Sequence, residues 1–294
     1  MPILKNILGS LYKRGEHILA GHELEKYRVI HDFNKWLIQR LKSDSVEVNG
    51  YRMFVDWRDS LHLSINKSFE PFQTEIAKKM LRQGDVAVDI GANIGYYSLL
   101  FAATVGSTGR VFAFEPDPYN FGLLRKNAEI NNFSNITMFD KAVSDTNRQG
   151  KLYKSEYNLG DHRIFALDDD YKSIDIEVIR LDDVSELRDV KISLIKIDIQ
   201  GSEGAAVTGM KQLIARQDRL VLMCEFIPSL IKGSGMEPES FLTMLRELGF
   251  KLHEIDEKAQ KMIPTDVETL LRKYPTKSRL YTNLLCVKGS LQPL

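Results

Sequence analysis

Val86-Ala-Val-Asp-Ile-Gly-Ala-Asn-Ile-Gly-Tyr-Tyr-Ser98 is the stretch whose reading decides the fold. A short continuous apolar run over residues 86–90 predicts a strand buried on both faces. Two glycines follow, and then a run over residues 96–105 that reads as amphipathic and predicts a helix. Strand, tight turn and helix in that order open a nucleotide-binding α/β unit. Gly91 and Gly95 let a backbone approach a ligand where a Cβ would stand in the way.

The glycine spacing is Gly-x-x-x-Gly with Asn93 between, whereas a dinucleotide pyrophosphate asks for Gly-x-G-x-x-Gly. The turn therefore suits a cofactor with no phosphate at this point, of which S-adenosylmethionine is the commonest. Asp89, Gly91, Asn93 and Gly95 are its candidate contacts; Asn93 is placed for the methionine portion, or stabilises the turn through its own side chain. Residues 111–115 read as the next strand, with Glu115 at its carboxyl end, 26 residues beyond Asp89. A carboxylate there can accept both ribose hydroxyl protons, as the acid about 20 residues on does in dinucleotide sites. Alone, Glu115 could equally be a surface acid ending a strand; the glycine turn before it favours the binding role.

Beyond these, apolar periodicity predicts helix 119–131, strand 136–140, strand 192–198, helix 203–216, strand 220–226, helix 238–248, strand 250–256 and strand 281–288. Alternating strands and helices give an α/β fold, a doubly wound and mostly parallel seven-stranded sheet. The last two strands, with no helical crossover between them, point to an antiparallel edge.

Three regions are expected: a helical extension over 1–45, a β-hairpin and linker over 46–75, and the main domain over 76–294. In the extension, Leu24, Tyr27, Ile30, Phe33 and Leu37 recur at helical spacing. Residues 1–14 carry Lys5, Lys13 and Arg14 and no acid. Such a basic amphipathic segment can lie peripherally on a membrane surface; packing on the core or on another subunit of a homo-oligomer is the favoured reading for so short a helix. Asn49-Gly50 between alternating apolar residues signals the hairpin. Residues 141–190 interrupt the alternation with a polar stretch that contains the acidic run Asp168-Asp169-Asp170 and ends in a strand-like run over residues 176–181, and insertions of this length tend to be lids or binding loops. Gly233-Ser234-Gly235 reads as a second flexible loop.

Composition narrows the function. Forty basic residues balance forty acidic ones, so nothing argues for a nucleic-acid partner. Hydrophobic residues make up 43% of the chain, ample for a core. The two cysteines, Cys224 and Cys286, fall in apolar strands and read as buried free thiols. No run long enough for a membrane span and no secretory signal is visible, which predicts a cytoplasmic protein.

A second cluster of chemistry follows strand 192–198. Asp198 should sit at its carboxyl end, facing the crevice where strand order reverses; a capping role is its alternative. Glu203 reads as an acid in the first turn of the next helix. Displacing a group from a sulfonium requires alignment and removal of the acceptor's proton, and a base near neutral pKa favours histidine. Of six histidines, only His162 lies in the insertion, beside Asp161, so His162 is the first candidate base. Glu225, ending strand 220–226, is its rival. Asp198, Gln200, Glu203 and Glu225 could instead offer oxygens to Mg²⁺; the uncharged Gln200 disfavours that reading, and no metal site is predicted.

The motifs VDIGANIGYYSLLFA, FEPDPYNFGLLRKNAEINN, KAVSD, LDD and IKIDIQGSEGAAVTGM occur in the order seen in the FkbM family of S-adenosylmethionine-dependent methyltransferases, which this chain resembles over roughly residues 46–250. The resemblance implies a class I methyltransferase fold and methyl transfer, usually to the oxygen of a glycan, macrolide or other small-molecule hydroxyl. It also implies that Asp140, after the third strand, contacts the adenine amine, and that the backbone of Lys141 contacts a ring nitrogen. Many members read Asp-x-Glu-Gly where this chain has Asp198-Ile199-Gln200-Gly201. Two other functions are weighed against this one. A nicotinamide-dependent oxidoreductase is disfavoured by the glycine spacing. A catalytically silent methyltransferase-like subunit is disfavoured by the intact Asp89, Gly91, Gly95, Glu115 and Asp198.

Overall fold

The computed structural model describes residues 43–155, 160–166 and 172–290. The helical extension expected up to residue 45 falls outside the described residues as far as residue 42, as do the basic segment 1–14 and the acidic run 168–170. The chain divides into two compact units at Phe69/Glu70.

In the first unit, β1 (Ser45–Val48) pairs antiparallel with β2 (Tyr51–Phe54). Asn49 and Gly50 take positive φ values of 52° and 82°, as a two-residue hairpin turn requires. Val46, Val48 and Met53 are buried. The short helix α1 (Leu63–Asn66) follows, its first N–H groups taken by the Asp59 carboxylate at 2.9 and 2.8 Å.

The second unit opens with α2 (Pro71–Met80), whose proline occupies the first turn, where its missing N–H costs nothing. Glu257 accepts from the N–H groups of Phe72 and Gln73 and satisfies two of this helix's orphan donors. The chain then runs β3 (Val86–Ile90), α3 (Tyr96–Val105), β4 (Arg110–Phe114), α4 (Pro118–Ile130), β5 (Ile136–Phe139), β6 (Lys141–Val143), β7 (Arg148–Tyr153) and β8 (Ser173–Ile179). It continues through β9 (Leu194–Ile197), α5 (Glu203–Thr208), α6 (Lys211–Ala215), β10 (Leu220–Phe226), α7 (Pro228–Gly233) and α8 (Pro238–Glu247). The last elements are β11 (Lys251–Asp256), β12 (Lys261–Pro264), α9 (Val267–Lys273) and β13 (Thr282–Lys288).

The main sheet has the order β12-β11-β13-β10-β9-β3-β4-β5. Strands β10, β9, β3, β4 and β5 are mutually parallel, and β13 enters antiparallel between β10 and β11. All five β3 residues are buried, which is why the run carries no polar alternation. The doubly wound, mostly parallel α/β sheet expected from the sequence is present, with eight strands where seven were expected. The extra strand is β12, an exposed edge that pairs only with β11 and, at four residues ending in a proline, is too short to announce itself.

Other expectations are corrected. The single helix 203–216 is two helices, because Asp182 accepts from the N–H groups of Gln212 and Leu213 and starts a new one there. The flexible loop at Gly233 is the end of α7, a helix that begins at Pro228. The insertion contains a second, three-stranded sheet of order β6-β8-β7, with Leu152, Ile176 and Val178 packed on Ala142 beneath it. Helix α9 lies between the two closing strands, so they are not joined by a bare turn.

Strand order reverses at β3: the chain leaves it toward β4 and β5 on one side and returns beside it as β9 on the other. A crevice outside the carboxyl ends of β3, β4 and β9 is the consequence, and it is where ligands bind in open α/β sheets.

Candidate active site at the switch point

The turn after β3 is built by close approach. Gly91 has φ 80°, and a Cβ there would lie 2.0 Å from the Asp198 carbonyl oxygen, so the backbones after β3 and β9 meet only because the side chain is absent. Gly91 and Ala92 donate to the Phe114 carbonyl at 3.0 Å each, tying the turn to the end of β4. Asn93 follows at φ 51°, and its N–H donates to Glu115 Oε2 at 2.8 Å. Gly95 precedes α3.

Glu115 is 6% exposed, and its Oε1 accepts from the Asp117 N–H at 2.8 Å. Each carboxylate oxygen thus takes one backbone N–H and keeps a second lone pair, because a carboxylate offers about four acceptor sites. Burial outweighs those two hydrogen bonds and pushes its pKa up to about 8. Its own N–H bonds to Phe139 O, so Asp140, exposed just beyond β5, lies at the neighbouring strand end. Lys141 starts β6, and its ammonium pairs with Glu177 at 2.6 Å, in the insertion sheet.

Asp89 is not at the crevice surface. It is 1% exposed and accepts from the Ser98 hydroxyl at 2.6 Å, joining β3 to α3. Burial raises its pKa to about 6, against the pull of Lys196. Lys196 stands beside it in register on β9, 4% exposed. The Lys196 ammonium is 3.0 Å from Asp198 Oδ2 and 4.5 Å from the Tyr97 ring centre. Burial disfavours its charge, yet Asp198, Glu70 and Asp89 outweigh burial and hold it firmly protonated.

Around Lys196 a polar network closes. Glu70 accepts from the Tyr97 hydroxyl at 2.9 Å, from Asn283 Nδ2 at 2.9 Å, and from Gln73. Gln200 Nε2 donates to Asp198 Oδ1 at 3.3 Å and to Glu225 Oε2 at 2.9 Å. Burial above all, then Asp198, Glu203 and Glu70, pushes the Glu225 carboxyl well above the usual carboxylate range, with Lys196 opposing. Glu203 turns inward: its Oε1 accepts from the N–H groups of Ile199 and Gly201 at 3.2 Å, so it fastens the loop that carries Asp198 and Gln200. Tyr281, 58% exposed, stands at the rim within electrostatic reach of Glu225, Glu70, Asp198 and Asp161.

His162 is differently engaged. Its Nδ1 accepts from the Ser155 N–H at 3.1 Å, which places the proton of the neutral ring on Nε2, 3.7 Å from Asp117 Oδ2. The charges acting on the ring are those of Asp117 and Lys154 where the sequence pointed to Asp161, and burial, the largest influence, lowers its pKa. Asp117 caps α4 through Tyr119 and Asn120 and also holds the Lys154 ammonium at 2.7 Å. It therefore joins the insertion to the segment carrying Glu115. Asp117→Ala is expected to cost about 0.5–2 kcal/mol of stability, the worth of a lost N-cap, measured as a shift in urea midpoint at unchanged slope.

Of the candidates read from the sequence, the structure gathers Gly91, Asn93 and Glu115 around one turn and Asp198, Gln200 and Glu225 around another. His162 sits against Asp117. Glu70, Tyr97, Lys196 and Asn283 were not anticipated. Among the described residues no three His, Cys, Asp or Glu side chains converge in a metal-binding arrangement, and no helix is long and apolar enough to cross a membrane.

Sheet reversal, glycine turn and strand-end acids define a doubly wound α/β protein with its ligand crevice at the switch point. Residues 89–252 match the family model described as the Methyltransferase FkbM domain, and the chain belongs to that family. The 31-O-demethyl-FK506 methyltransferase FkbM of Streptomyces tacrolimicus is 30% identical over 160 residues, which cover 45% of this chain and 61% of that protein. The chain thus spans less than two thirds of the length of that relative. Among solved structures, the methyltransferase FkbM of Methylobacillus flagellatus is similar with a TM-score of 0.41 and 16% identity, covering 78% of this chain and 53% of its own. A SAM-dependent O-methyltransferase of Thermotoga maritima is similar with a TM-score of 0.41 and 14% identity, covering 85% and 79%.

Proposed function

We propose that this chain is an S-adenosylmethionine-dependent O-methyltransferase acting on a hydroxyl of a sugar, glycan or secondary metabolite. The observation that carries the reading is Glu115: a buried carboxylate at the carboxyl end of β4, beside the glycine turn, with half of its acceptor capacity unspent. Family membership supports the same reading. Vicinal ribose hydroxyls suit that donor-hungry group, and the acidic crevice suits a cofactor that carries positive charge.

When bound, S-adenosylmethionine supplies a methyl group activated by its sulfonium. The residues of this chain supply the rest. Glu115 and Asn93 fix the ribose side, and Asp140 accepts from the adenine amine, a role that family membership supports. Asp198 orients the acceptor hydroxyl, and Glu225 takes its proton. Glu225 is preferred to His162 because no described residue donates to its Oε1, and its raised pKa brings it closer to that of an effective base. The neutral His162 ring has its only lone pair occupied by the Ser155 N–H. Cytoplasmic residence and a homo-oligomeric state belong to the same proposal.

Titration calorimetry of the full chain with S-adenosylmethionine tests the reading: one site per chain is expected. Binding of NAD(H) in its place would return the oxidoreductase reading. Cofactor binding with no turnover across hydroxylated acceptors would favour a silent subunit.

A further inference from the structure

Gln200 sits where a neutral amide joins two acids. Its backbone is left-handed at φ 54°, and Gly201 follows at φ 102°, where a Cβ would lie 2.7 Å from the Leu230 side chain. Two consecutive residues in this conformation turn the chain sharply after Asp198. A non-glycine residue held at positive φ is uncommon and strained. The turn is fastened from behind by Glu203, through Ile199 and Gly201, and from the side by the Ser234 hydroxyl, which donates to Gly201 O at 2.8 Å. The result of this strained and over-fastened turn is a single amide nitrogen presented to both Asp198 and Glu225. Two carboxylates as acceptors dictate that the nitrogen, and not the oxygen, faces them.

We infer that Gln200 is a positioning residue for Glu225, setting both its orientation and its ionisation by donating one amide proton to it and the other to Asp198. The inference deepens the proposed function and rests on Glu225 as the base in it. The surroundings make such a donor necessary. Glu225 is faced by Asp198 from the turn after β9, by Glu203 from the start of α5, by Glu70 from ahead of α2, and by Tyr281 from ahead of β13. Lys196 on β9 is the cation that opposes them, and its ammonium is hydrogen-bonded to Asp198. Three acids and burial all push the Glu225 proton on. A hydrogen bond donated to the charged form works in the opposite direction. Removing it therefore leaves Glu225 protonated to higher pH and free to rotate away from the acceptor.

The test needs no acceptor. The full chain is labelled with ¹³C at its glutamate carboxyls, and Glu225 is titrated by NMR, its resonance assigned by its loss in Glu225→Gln. Gln200→Leu, which keeps the bulk and removes the donor, should raise the Glu225 midpoint by about one pH unit or more. Gln200→Glu, adding a carboxylate, should raise it at least as far. Gln200→Lys, placing an ammonium in the same position, should lower it. All three keep a side chain at the left-handed position, so backbone strain is common to them. Opposite signs for Lys and for Leu or Glu are the expected result; if Leu does not fold, the Lys and Glu pair decides. A midpoint unmoved in folded variants, or moved the same way by Lys and Glu, overturns the inference. Calorimetry with S-adenosylmethionine is scored separately. Titration shifts as expected in a protein that does not bind the cofactor would sink the methyltransferase reading and leave the role of Gln200 intact.

Discussion

Glu225→Gln is expected to lower methyl-transfer turnover roughly 10²- to 10⁴-fold, the contribution of a positioned general base, with cofactor affinity little changed. The substitution keeps shape and removes the proton acceptor, so a lost rate reports chemistry and not packing. His162→Ala is the control. Its ring already spends its lone pair on the Ser155 N–H, so its loss should stay far short of the ~10²-fold that removal of a base produces. The reverse ranking, a severe loss for His162→Ala and a mild one for Glu225→Gln, would move the proton to the insertion. Wild-type turnover should rise with pH as Glu225 ionises, in a range above that of ordinary carboxylates, because burial and three neighbouring acids hold its proton on. Stability should run the other way. A folded-state pKa raised above the unfolded value means that the folded protein binds this proton more tightly. The resulting stabilisation is complete below the unfolded pKa and is lost as pH rises through the folded one. Glu225→Gln escapes that loss and should outlast the wild type in alkaline urea titrations, trading activity for stability.

What the sequence made legible follows from which interactions are local. The strand 86–90, its glycine turn and Glu115 could be read because a doubly buried strand has no polar alternation and a turn of that kind needs particular residues at fixed spacing. The helix expected from residue 119 begins one residue earlier, at Pro118, whose missing N–H costs nothing in a first turn. Lys196 carried a signal that was passed over: a charge inside the buried run Leu194-Ile195-Lys196-Ile197 must be paired, and its partners were to be sought at the crevice. Glu70 had none. It reaches the site because β13 enters between β10 and β11 and sets Asn283 opposite Glu225, a pairing between residues nearly sixty positions apart. His162 was misjudged in its partner for the same reason, since Asp117 approaches it through space while Asp161 is merely its neighbour in the chain. Of the small sheet β6-β8-β7, the strand-like run over residues 176–181 is legible because Ile176 and Val178 alternate with polar residues as a one-sided strand should, and the structure places that strand at Ser173–Ile179. Its partners are not legible: β6 is three residues long, β7 is mostly polar, and their pairing with β8 is made through space.

Glu115→Ala is expected to weaken S-adenosylmethionine binding by about 1.5–3 kcal/mol, the range for hydrogen bonds to a charged group, which is roughly 10- to 150-fold in Kd. The protein should remain folded. The two backbone N–H groups that Glu115 satisfies, from Asn93 and Asp117, belong to turns that edge the crevice, where water can replace a carboxylate. A second signature separates a ribose contact from a merely structural acid. With its pKa pushed up to about 8 by burial, Glu115 is mostly protonated in the free protein at pH 7. Two hydroxyls donating to its oxygens favour the charged form. Cofactor binding at pH 7 should therefore release a proton, seen as a binding enthalpy that varies with the ionisation enthalpy of the buffer. Glu115→Gln, which cannot ionise but keeps the shape, should abolish that dependence while losing less affinity than alanine. Above pH 9, where the free carboxyl is already charged, the wild type should release none. Unchanged affinity in a folded Glu115→Ala protein, or proton release that survives Glu115→Gln, would remove Glu115 from the cofactor site and with it the observation on which the proposed activity stands.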